Sequence, residues 1–188
     1  MTRLKVAAIC AGLFLVAGVG ELDAERFAYT VGVDGPSWSE LATRWVALGA
    51  GGAAEPAAAV PISPGADMEA TGDPMTTNAV NDALVQAPML LGMAGMFLNG
   101  HDPKDPLAAP IHADFSGIAP LYIQVGGHET LLDDAKRVAE AAQRDGVDVT
   151  LEVFPEMQHV FQIGAGNVPE SDDAIAKIGA FLRPRLGL

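Results

Sequence analysis

The sequence predicts an α/β domain: a parallel sheet with helices packed on both faces. Three observations carry this. The runs Leu121–Val125 and Val149–Phe154 flank a helical stretch, Leu131–Arg144, and strand–helix–strand alternation with short links favours parallel pairing. Ala57–Ser63 is another short apolar run, as expected of a strand buried on both faces. A last helical stretch, Glu170–Leu182, follows the second strand and completes the alternation.

Taken in order, the elements have local reasons. Val6–Gly20 carries no charge and follows Arg3 and Lys5. It reads either as an export signal with small residues Gly18 and Gly20 near a cleavage point, or as a buried helix or strand of the domain. It is too short for a comfortable membrane span. Glu25–Val33 reads as a strand, and the following helix sets Leu41, Trp45 and Leu48 on one face. Gly49–Gly52 ends that helix. Pro61 is awkward inside Ala57–Ser63, since proline donates no ladder hydrogen bond. Pro64–Phe115 is long and mixed: polar over Thr77–Asp82, apolar and helix-like over Ala83–Phe97, loop over Asn99–Pro110. Met75, Met89, Met93 and Met96 suit core filling or an adaptable lid over a ligand. Gly146 stops the helix after Arg144. Ser171, Asp172 and Asp173 suit the N-terminus of the last helix.

With 188 residues the chain is a single domain, 1–188, with an apolar N-terminal segment over 1–24 and a lid or insertion over 64–115. A net charge of −13 without a Lys/Arg cluster excludes nucleic acid and anionic membrane surfaces as partners. The single cysteine, Cys10, forms no internal disulfide, and no His/Cys spacing suggests zinc.

Function is concentrated behind two strands. Glu129 follows Leu121–Val125 after the three-residue link Gly126-Gly127-His128, and His159 follows Val149–Phe154 after a four-residue link. Strand, acid, helix, strand, histidine is a layout that delivers an acid and a base to one edge of a parallel sheet. A hydrolytic triad needs a nucleophile, a histidine that takes and returns its proton, and a buried acid that orients the imidazole. His159 is the base candidate, and Glu129 is the preferred acid. Asp133 is the reserve, sharing a helix face with Glu129 if the helix starts early. Asp134 is read as a helix-dipole partner only.

The nucleophile is the weak member. No Gly-x-Ser-x-Gly occurs in the chain. Its nearest form is Gly35-Pro36-Ser37-Trp38-Ser39, which makes Ser37 the candidate, with Trp38 offering an N–H to an oxyanion. Ser37-x-x-Glu40 is also a capping box, the reading that such a short signal favours. Asp34 is a third option, as a carboxylate nucleophile. No glycine-rich oxyanion loop precedes it, and Gly126-Gly127-His128 stands beside the acid instead.

Five segments carry a family resemblance: Ser63-Pro64-Gly65-Ala66-Asp67, Asp102–Pro110, Ile118–Gly126, Glu129–Asp134 and Phe154–Phe161. Over about two thirds of the chain, from Ala57 onward, these resemble bacterial hormone-sensitive-lipase-type esterases of the α/β-hydrolase superfamily, nearest the monoterpene ε-lactone hydrolases. The resemblance implies a partial α/β-hydrolase fold, the C-terminal portion, with the earlier strands missing. It implies a carboxylic-ester or lactone hydrolase with His159 as base, an acid at Glu129 or Asp133, a small-molecule ester substrate and no cofactor. Gly65 departs from the family's usual tryptophan, and counting back from Pro56 puts Gly35 at the nucleophile position. The alternative is a non-catalytic half-domain that binds an apolar ligand or forms a homodimer through an exposed edge at Arg26–Val33, unless Val6–Gly20 covers that edge. A cytoplasmic location is expected if residues 1–20 are not an export signal.

Overall fold

The computed structural model describes residues 13–17 and 57–188. Strand β1 (Leu13–Ala17) is followed by β2 (Ala58–Ile62), a one-turn helix α1 (Pro74–Thr77), α2 (Ala87–Leu98), β3 (Leu121–Gly126), α3 (Leu132–Arg144), β4 (Val149–Phe154) and α4 (Pro169–Arg185). Short 3-10 turns occupy Pro110–His112 and Phe161–Gly164. The sheet order is β1-β2-β3-β4. β2, β3 and β4 are parallel, and β1 runs antiparallel to β2, with Leu13 opposite Ile62. Part of the apolar N-terminal run therefore lies along the β2 edge. The expected strand Glu25–Val33, the helix carrying Trp45, Cys10 and the candidates Asp34 and Ser37 fall outside the described residues.

Two-residue alternation sends successive side chains of β2 and β3 to opposite faces, and both faces are covered. On one face Ala59, Leu121, Ile123 and Val125 meet Ala135, Val138, Ala139 and Ala142 of α3. On the other, Ala58, Val60, Ile62 and Tyr122 meet Ile178 and Leu182 of α4. Both strands are buried along their whole length, which accounts for their near-continuous apolar sequence. Pro61 sits within β2 without breaking it.

Helix ends follow local chemistry. α3 carries Asp133 and Asp134 in its first turn and Arg144 in its last, matching the macrodipole, and Gly146 takes a left-handed φ of 84° just beyond it. α4 begins at Pro169, one residue before the expected Glu170; Ser171 lies in the first turn, where its buried hydroxyl donates to the Phe161 carbonyl. α2 begins four residues later than the apolar run suggests. Pro88, which tolerates only the first turn of a helix, fixes the start, and the Asp82 carboxylate takes the N–H groups of Leu84 and Val85 ahead of it. Among the described residues, no helix is long and apolar enough to cross a membrane.

Candidate active site

Parallel pairing of β3 with β4 puts Gly126 opposite Phe154, so the loops leaving both strands emerge side by side at the carboxyl edge of the sheet. Gly126 and Gly127 let them touch. Gly127 N–H donates to the Phe154 carbonyl at 2.7 Å, and His128 N–H to that of Met157 at 3.2 Å. A methyl group on Gly126 would lie 2.2 Å from the Met157 carbonyl oxygen. Glycine here serves close backbone approach.

This contact brings Glu129 and His159 together. His159 Nδ1 lies 3.1 Å from Glu129 Oε2, with the imidazole 12% exposed and the carboxylate fully buried. The second oxygen is also held: Oε1 accepts the Ser63 hydroxyl at 2.7 Å and the Gly126 N–H at 2.5 Å. With a carboxylate on Nδ1, the ring proton resides there and Nε2 is left as the free basic nitrogen.

Asp133, the reserve acid, instead faces Lys136 at 3.6 Å on the exposed side of α3. Because α3 starts at Leu132, Glu129 stands in the loop before it and shares no helix face with Asp133. Asp134 does more than meet the helix dipole. Fully buried, it accepts the N–H groups of Ala66 and Asp67 at 2.7 and 3.0 Å and ties the loop after β2 to α3. Burial pushes its carboxyl up to about 6, against those two hydrogen bonds. Neighbouring Asp67 is held down at about 2. Burial opposes this, but the Thr71 hydroxyl, the N–H groups of Thr71 and Glu69, and Arg137 outweigh it.

Ser63 was legible as part of a motif but not as a site residue. It directly follows β2, fully buried, in a left-handed conformation with φ 49°. Its hydroxyl donates to Glu129 and accepts the Val160 N–H at 3.0 Å. Val160 is itself left-handed, φ 52°, an unusual state for a β-branched residue. Two strained residues thus bracket the Glu129–His159 pair, as backbone strain tends to collect at functional sites. Asn78 is the other residue without a sequence signal; its side-chain amide donates to the carbonyls of Gly127 and Glu129 at 3.0 and 2.8 Å. Of the four methionines singled out, Met75 is buried with Val85 and Leu131, whereas Met89, Met93 and Met96 of α2 are exposed.

A family model described as alpha/beta hydrolase fold matches residues 40–163, beginning beyond Ser37. An acetyl-hydrolase of Streptomyces hygroscopicus is 46% identical over 132 residues, covering 70% of this chain and 44% of that protein. An esterase of Acinetobacter venetianus is 32% identical over 127 residues, covering 67% and 42%. Among solved structures, an esterase from the bacterial hormone-sensitive lipase family superposes with a TM-score of 0.75 at 46% identity, over 79% of this chain and 50% of that one. The chain thus spans half or less of the length of these relatives.

Proposed function

This chain belongs to the α/β-hydrolase fold family, among the esterases of the hormone-sensitive-lipase type, and from that premise we propose that it hydrolyses small carboxylic esters through a nucleophile–histidine–acid relay. One observation carries the reading: His159 Nδ1 faces a fully buried carboxylate, Glu129, at 3.1 Å. In this arrangement His159 Nε2 takes the proton of the attacking hydroxyl. Glu129 holds the imidazole in the correct tautomer and stabilises its cationic form. The imidazolium then gives the proton to the leaving alcohol, and water hydrolyses the acyl-enzyme by the same route in reverse.

Ser37 is the proposed nucleophile, with Asp34 as the alternative, and residues 64–115 are the proposed substrate-facing lid. Acetyl esters are the first substrates to try, since one relative bears the name acetyl-hydrolase; lactones are the second. A cytoplasmic location belongs to the same proposal. Hydrolysis of p-nitrophenyl acetate tests the relay. His159→Ala is expected to lower the rate by about 10²–10⁴-fold, the usual contribution of a general base. Activity that survives the change removes His159 as the base. Mass spectrometry after a serine-directed phosphonate probe identifies the nucleophile, and label anywhere but Ser37 reassigns it.

A second reading, a non-catalytic binder of apolar ligands, is favoured by α2, which leaves Met89, Leu91, Met93 and Met96 exposed. Binding of a fluorescent fatty-acid analogue that persists in His159→Ala, with no phosphonate label on the wild type, would favour it over hydrolysis.

A further inference from the structure

We propose that the segment Asn78–Val85 is a strap that fixes the acid loop and the base loop relative to each other, with Asn78 as its positioning residue. The proposal rests on the Glu129–His159 relay described above. The strap grips the acid loop on both sides of Glu129. The Asn78 amide donates to the carbonyls of Gly127 and Glu129. Asp82 Oδ2 accepts the Thr130 N–H at 2.8 Å, and the Thr130 hydroxyl lies 3.1 Å from both Asp82 Oδ2 and the Val85 carbonyl. It also grips the base loop next to His159. Gln158 Oε1 accepts the Ala83 N–H at 3.0 Å, and Gln158 Nε2 donates to the Asn81 carbonyl at 2.8 Å. One stretch of chain therefore bonds to the immediate neighbourhood of both relay residues.

The strap is stiffened from within. Asp82 Oδ1 accepts the N–H groups of Leu84 and Val85, and Gln86 Nε2 donates to the carbonyls of Ala79 and Asp82. Asn78 is the informative member because both of its partners are carbonyl oxygens. Only a side chain with two N–H donors satisfies them, so the amide orientation is fixed. Aspartate, of the same size, would set oxygens against oxygens. A relay hydrogen bond tolerates little displacement before it fails, and supporting groups of this kind orient the residues that do the chemistry.

The test is nuclear magnetic resonance of the full chain, observing the His159 Nδ1 proton, assigned by its disappearance in His159→Gln. This signal reports the hydrogen bond to Glu129 and does not require turnover. The wild type is expected to show it downfield and protected from exchange with water. Asn78→Ala and Asn78→Asp are expected to broaden or lose it while the amide signals of β3, β4 and α4 persist. Gln158→Ala, a milder change near the surface, is expected to broaden it in part. Retention of the resonance unchanged in folded Asn78→Ala and Asn78→Asp overturns the strap and leaves the relay standing. Absence of the resonance in the wild type overturns the relay, and the strap with it. If neither Asn78 variant folds, Gln158→Ala decides, and an unchanged resonance there overturns the proposal.

Discussion

The rim at the ends of β3 and β4 and the helix α2 lie on the same chain but hold their side chains in opposite ways. At the rim, each oxygen of Glu129 is hydrogen-bonded, the Ser63 hydroxyl both donates and accepts, and two glycines close the gap between loops. On α2, a helix of largely apolar sequence buries only Ala94, and Met96 stands 77% exposed. The difference teaches that burial follows the available partner, not the composition. α3 is more polar than α2, yet it buries six residues, because its apolar positions recur on one face and meet a sheet. Polar precision at the rim suits the proposed relay, and bare hydrocarbon on α2 suits the proposed lid or ligand-facing surface.

Substitutions of three kinds sharpen this contrast. The largest effect is expected at the rim. Glu129→Ala strands the Ser63 hydroxyl and the Gly126 N–H in a buried place, and each unsatisfied group costs about 1–3 kcal/mol. A loss of about 3 kcal/mol in urea unfolding is expected, and a loss below 1 kcal/mol would mean that water replaces the carboxylate.

Asp134 gives the next effect, through pH. Its folded carboxyl is raised to about 6 from an ordinary 3.8, so the folded state holds the proton more tightly than the unfolded one. Its stabilising contribution is full below about 3.8 and is lost as pH rises through about 6. Asp67 runs the other way: its contribution is present above 3.8 and disappears as pH falls through about 2. Asp134→Asn keeps an oxygen for the two N–H donors and removes the buried charge. It is expected to stabilise the protein by about 1–3 kcal/mol at pH 8 and to flatten the decline between about pH 4 and 6. Urea unfolding of both proteins across that range checks it, and parallel curves would dissociate Asp134 from the decline.

The smallest effect belongs to α2. Met96→Gln is expected to move stability by no more than about 0.5 kcal/mol. A destabilisation above 1 kcal/mol would show that this face is covered in solution.

Much of the framework was legible in the sequence because its causes are local. β3 was readable from its apolar run and α3 from the helical stretch after it, whose end Gly146 marked. The pair Glu129 and His159 was readable because both follow strands by short links. Glu129 was preferred over Asp133 for its place in the loop straight after the strand, whereas the helix start at Leu132, which leaves the two acids no shared face, was not readable. Ser63 and Asn78 were invisible for a different reason: their partners lie 66 and about 50 positions away, and no pattern within either segment encodes such a contact. The late start of α2 could have been read from Pro88, whose ring admits only the first helical turn.

Val160 follows His159 directly, and its side chain packs against the cluster of Val60, Ile62, Tyr122, Ile178 and Leu182. Glycine would adopt the same left-handed backbone without strain, but it would have no methyl groups to seat in that cluster. The imidazole therefore takes its bearing from hydrocarbon behind the sheet, transmitted across one peptide bond. Affinity between oils on the α4 side is converted into the aim of the proposed base on the rim.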